Sequence, residues 1–94
     1  MNKREQYFSM VAKMEQLREE KERLTDLWNN EIAWSDSEET IEAHLQKERE
    51  INSEIQSLKT TMKLKRAGFT QDELRSMAQE WRAKGKEDRR RYLS

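Results

Sequence analysis

The chain is 94 residues long, 33% hydrophobic and 40% charged, with no cysteine, no proline and two glycines. An ordinary globular domain is roughly 45–50% apolar, so a monomeric core is thin at this length, and without cysteine there are no disulfides or thiolate metal sites. Net charge is zero, but residues 1–34 carry six bases and seven acids, residues 35–58 two and seven, and residues 59–94 eleven and five.

The result is an acidic middle and a basic last third, a distribution that says more about partners than the total does. The apolar residues recur at helical spacing, which separates this chain from a disordered one of similar composition. No window is apolar enough to span a bilayer. The opening Met1-Asn2-Lys3-Arg4-Glu5 lacks the apolar run of a secretion signal. A cytoplasmic protein without membrane attachment is the expectation.

The first helix is expected over residues 2–33. Written as heptads, one core position takes Tyr7, Met14, Lys21 and Trp28, and the other takes Met10, Leu17 and Leu24. This is a coiled-coil-like seam with one lysine inside it. Phe8, Val11, Leu27 and Ile32 widen the stripe, which suits contact with more than one neighbouring helix. Asn29 and Asn30 weaken the helix end, and Ser35, Asp36 and Ser37 are all good N-caps. Ser35 with Glu38, or Asp36 with Glu39, has cap-plus-acid spacing.

A second helix is therefore expected over residues 36–66. Its seam runs Ile41, His44, Glu48, Ile51, Ile55, Leu58, Met62 and Lys65, with only the stretch from Ile51 to Met62 apolar throughout. Residues 29–36 decide whether the two long helices close into an intrachain hairpin or extend into a dimer. Lys59, Lys63, Lys65 and Arg66 load the negative end of the second helix with cations.

A sharp corner follows. Gly68 is placed for a left-handed stop, with Phe69 folding back on Leu64. Thr70 and Glu73 have capping-box spacing, flanked by Phe69 and Leu74 as a hydrophobic staple. On this reading Gly68→Ala misdirects the third helix. That helix is expected over residues 71–84, amphipathic through Leu74, Met77, Ala78 and Trp81, with Gly85 as its stop and residues 85–94 as a basic tail.

Few residues suggest chemistry. His44 and Glu48 sit four apart on one face, the spacing of half a metal site. A single histidine without cysteines would need carboxylates from elsewhere, so a polar interruption that sets register is the plainer reading. Three tryptophans serve as core or interface anchors, and an exposed Trp34 beside the acidic cap would be a partner contact. Lys59, Lys63, Lys65, Arg66 and the Arg89, Arg90, Arg91 run are the candidate contacts to nucleic acid or an acidic partner, with Tyr92 able to stack on a base. A DNA-reading helix-turn-helix at Gly68 is disfavoured, because Asp72 and Glu73 would face phosphate. There is no glycine-rich phosphate loop and no nucleophile with a partnered base, so no enzyme or cofactor is expected.

Thr40-Ile41-Glu42 at the start of a long charged helix, followed by Gly68-Phe69-Thr70-Gln71-Asp72-Glu73-Leu74 at its end, resembles the oligomerisation region of the histone-like nucleoid-structuring proteins. The resemblance covers residues 37–74, fewer than half of the chain, and the family's DNA-binding domain has no counterpart. It implies an oligomerising modulator or truncated antagonist, not an autonomous DNA reader.

The sequence thus predicts an all-α module of two long helices and a shorter third. It would self-associate, a dimer being favoured, through Met10, Met14, Leu17, Leu24, Trp28, Ile51, Ile55, Leu58, Met62, Leu74, Met77 and Trp81. The expected role is a non-enzymatic adaptor, inhibitor or assembly factor that binds another protein, of the kind small bacterial or phage genes encode. The alternative is a nucleic-acid-associated regulator using the basic last third.

Overall fold

The computed structural model describes residues 2–93; Met1, where the reading of the N-terminus began, and Ser94, the end of the expected tail, lie outside the described residues. The fold is all-α: α1 (Lys3–Asn30), a 3₁₀ turn (Ile32–Trp34), α2 (Glu38–Arg66), α3 (Gln71–Ala83), α4 (Lys86–Arg90) and a final 3₁₀ turn (Arg91–Leu93).

Neither long helix contains glycine or proline, so nothing interrupts its backbone ladder. The Asn2 side chain caps α1 by accepting from the Glu5 amide at 2.8 Å. The helix stops at Asn30, earlier than expected, and one tight turn then tucks Ile32 inside at 9% exposure. Three polar residues compete to start α2, and Ser37 prevails: its hydroxyl accepts from the Thr40 amide at 3.3 Å. Ser35 instead steadies the turn, accepting from the Ser37 amide at 3.1 Å. Glu38 and Glu39 sit in the first turn of α2, and Lys63, Lys65 and Arg66 in its last, each sign suited to its end of the helix dipole.

This turn resolves the choice between hairpin and extended dimer. α2 packs back along α1, and Arg66 near its end donates to the Tyr7 hydroxyl near the start of α1 at 2.7 Å. A 29-residue helix is roughly 43 Å long at 1.5 Å per residue, which sets the rod-like extents of 52 × 26 × 22 Å. A two-helix rod buries little by itself. The core lies at its open end, where α3 and the tail add further layers: Tyr7, Phe8, Ala12, Met14, Leu17, Ile55, Met62, Met77 and Trp81 are all buried together.

The corner that aims α3 is built differently from the sequence expectation. Gly68 does not take positive φ. Instead α2 tightens, with the Gly68 amide donating to the Lys65 carbonyl at 3.1 Å and the Phe69 amide to the Arg66 carbonyl at 3.0 Å. Such three-residue bonds satisfy the last carbonyls of a helix without a left-handed residue. Leu64 is 72% exposed, so Phe69 does not fold back on it. Phe69 packs edge-on against Tyr7, ring centroids 5.9 Å apart, because the apolar surface of α1 is the larger attraction. The capping box is as expected: Glu73 N–H donates to Thr70 Oγ1 at 3.1 Å and Thr70 N–H to Glu73 Oε1 at 3.0 Å. The Thr70 amide donating to Oε1 is the main influence that holds the Glu73 carboxyl below the usual glutamate range, since it favours the ionised form.

Gly85 stands at the N-cap of α4 in extended backbone; α3 ends before it, with the Lys84 amide bonding the Trp81 carbonyl. The expected basic tail is thus an ordered clasp. Tyr92 packs against Phe8 and Trp81, at centroid distances of 5.6 and 5.7 Å.

Candidate functional site

Folding converts the uneven charge of the sequence into a spatial dipole. The two long helices run antiparallel, so residues 2–18 lie beside the end of α2. Together with residues 59–93 they carry fifteen bases and seven acids, net +8; residues 19–58, the half that includes the hairpin tip, carry four bases and twelve acids, net −8. Opposite charge therefore occupies opposite ends of the rod.

At the positive end, α1 and α2 flank a groove of about 550 Å³ lined by the apolar Tyr7, Val11, Met14 and Met62, by the cations Arg18, Lys59, Lys63 and Arg66, and by one acid, Glu15, which is held by Trp81 and Arg89. The cationic side on α2 follows from spacing: Lys59, Lys63 and Arg66 recur at i, i+4 and i+7 and therefore share one face. Arg18, across the groove on α1, went unremarked in the sequence because nothing local marks it; only the hairpin brings it there. Lys65 does not line this groove.

At the negative end, the 23 residues from Leu24 to Gln46 hold six acids and no lysine or arginine. Trp34 sits at this tip 80% exposed, and its ring N–H donates to the Asn29 carbonyl at 3.0 Å. That bond fixes the indole while leaving its apolar surface in water. Leu27, 39% exposed, lies on the last turns of the same arm.

The other candidates are placed as follows. Met14, Leu17, Ile55, Met62, Met77 and Trp81 are buried in the core of the single chain, while Met10, Leu24, Trp28, Ile51, Leu58 and Leu74 are half-buried. The seam predicted for self-association is thus closed largely by the chain's own helices. His44 is buried at 5% exposure, its ring 5.4 Å from that of Trp28 and its Nε2 3.2 Å from Glu48 Oε1. Among the described residues no group of three metal-ligating side chains comes together; the His44–Glu48 bond stays within α2, and the contact to α1 is the one with Trp28.

The Arg89–Arg91 run is dispersed. Arg89 donates to the Trp81 carbonyl through Nε at 3.2 Å and Nη2 at 2.9 Å, and lies 3.4 Å from Glu15. It closes the C-terminal end of α3, where a cation is favoured. Arg90 faces a shallow polar groove shared with Glu15, Glu19, Arg23 and Lys86. Arg91 lies 3.8 Å from Asp88. Tyr92 is half-buried, its ring committed to contacts with Phe8 and Trp81. Sequence reasoning missed these structural roles, because the contacts of Arg89 with Glu15 and of Tyr92 with Phe8 cross more than seventy residues.

No described helix is long and apolar enough to cross a membrane. No family model matches the chain, and no curated protein or solved structure matches it either.

Proposed function

We propose that this chain is a non-enzymatic protein-interaction module, an adaptor, inhibitor or assembly factor that works through the ends of its hairpin. The observation that carries this reading is Trp34, held 80% exposed at an acidic tip by its own hydrogen bond. A large apolar ring left in water stands to gain about 1.5–3 kcal/mol from burial, and tryptophan is a frequent centre of interface energy. The rigid hairpin beneath it reduces the ordering cost of binding. Affinity capture from a lysate of the source organism, run with wild type and Trp34→Ala, tests the reading. Protein partners that survive nuclease treatment and disappear with Trp34→Ala are expected; an identical set on both baits would overturn it.

A second reading, a nucleic-acid-associated regulator, draws on the four cations of the groove. It predicts binding to an oligonucleotide that weakens steeply with salt and falls when Lys59 and Lys63 are neutralised. Absence of any mobility shift at low salt would remove it.

A further inference from the structure

We infer that the basic groove of one copy receives the acidic tip of a second copy, so that the chain assembles head to tail. The inference rests on the interaction-module reading and names its partner. Three observations carry it.

The first is complementarity within one sequence: net +8 at one end and −8 at the other. The rod is 52 Å long, against a Debye length of about 8 Å at physiological salt. The two ends of one molecule therefore do not neutralise each other, and a second copy can.

The second is that the charges concerned are uncommitted. Among the described residues, Arg18, Lys59 and Lys63 have no acidic partner within 4.0 Å, and Arg66 bonds only the Tyr7 hydroxyl. The tip acids Glu31, Asp36 and Glu42 likewise have no basic partner. Elsewhere on the molecule acids and bases do meet, as in Arg4 with Glu80 and Arg89 with Glu15.

The third is the apolar match. The tip presents Trp34 and Leu27, and the groove offers Tyr7, Val11, Met14 and Met62 beside four cations and one acid, Glu15, that Trp81 and Arg89 already hold. An indole entering there meets apolar side chains and cations together, an arrangement that is attractive beyond area burial. A nucleic acid would use the cations and leave the apolar lining unmatched, and the Tyr92 ring is committed to Phe8 and Trp81. Pairing like ends would set +8 against +8. A single tip-in-groove contact is heterologous and leaves one tip and one groove open, unless the copies close into a ring or pair antiparallel with both tips seated.

Sedimentation equilibrium of the full chain tests this, with circular dichroism confirming unchanged helicity in each variant. The groove variant is Lys59→Glu with Lys63→Glu, and the tip variant is Glu31→Lys with Glu42→Lys; all four positions are exposed. Wild type is expected to self-associate with rising concentration, and to weaken at least about tenfold as salt rises from about 50 to about 500 mM. Each variant alone is expected to be monomeric, while an equimolar mixture regains assembly because its charges are again complementary. Assembly unaffected by either variant overturns the inference, since another face would be responsible. A wild-type monomer at low salt also overturns it, and if captured partners still depend on Trp34 the interaction-module reading stands by itself. A wild-type monomer that binds a poly-dT oligonucleotide through Lys59 and Lys63 would replace it with the nucleic-acid reading.

Discussion

Replacing Tyr92 with alanine measures whether residues 85–93 are a structural clasp. The Tyr92 ring is half-buried and meets Phe8 at 5.6 Å and 72°, and Trp81 at 5.7 Å and 60°. Aromatic pairs of this kind contribute about 0.5–1.5 kcal/mol each beyond area burial. Half-burying a ring of this size contributes about another 1 kcal/mol. Because the two pairs share one ring they do not add fully, so Tyr92→Ala should cost about 2–3 kcal/mol. Against a total stability of roughly 5–15 kcal/mol, that is a large fraction. It should lower Tm by roughly 10–20 °C in a domain of this size. Urea unfolding followed in parallel by helical dichroism and tryptophan fluorescence is the assay, with Tyr92→Leu as the control that restores apolar volume without the ring. Leucine should lose about half as much as alanine. If alanine stays within about 0.5 kcal/mol of wild type, as surface substitutions do, the tail is not a clasp and the core at the open end ends with α3.

At Gly68 the expectation reverses the one drawn from sequence. With no positive φ and an added Cβ 3.4 Å from the Lys65 carbonyl oxygen, Gly68→Ala should be neutral or stabilising by up to about 1 kcal/mol. A loss of about 1 kcal/mol or more in thermal unfolding would mean the corner needs glycine after all. The Glu73 carboxyl is held below its ordinary value chiefly by the hydrogen bond it accepts from the Thr70 amide. Its stabilising effect is therefore full above about pH 4.3, the unfolded value, and is lost as pH falls through the lower folded value. Glu73→Gln should flatten the acid limb of the stability profile, and an unchanged slope between about pH 5 and about pH 3 would count against the capping box as its source. His44→Ala should cost about 1–3 kcal/mol by opening a cavity beside Trp28, whereas His44→Leu should cost less, because Glu48 is 33% exposed and can turn to water. Chemical denaturation showing leucine as costly as alanine would place the energy in the lost hydrogen bond, which both variants lack, instead of the packing.

The sequence by itself determined what is local. Helix existence followed from periodicity and the absence of breakers, and the Thr70–Glu73 capping box from residues three apart. The all-α class and the charge gradient along the chain were equally legible, since both depend only on order. Boundaries at Asn30 and Ser37 were less so, because three adjacent polar residues could each cap α2 and only hairpin closure selects Ser37. Tertiary structure decided everything that depends on which surfaces meet. Tyr7 drew Phe69 away from Leu64, and the aromatic pocket of Phe8 and Trp81 turned a tail that read as a charged arm into a clasp. The hairpin set Arg18 opposite Lys59, and it made a charge pattern spread along the chain into two opposed ends. The physical reason is common to all of these: caps and propensities act over a few residues, whereas burial and charge act through space, and contacts such as Tyr7 with Arg66 or Phe8 with Tyr92 have no local signature.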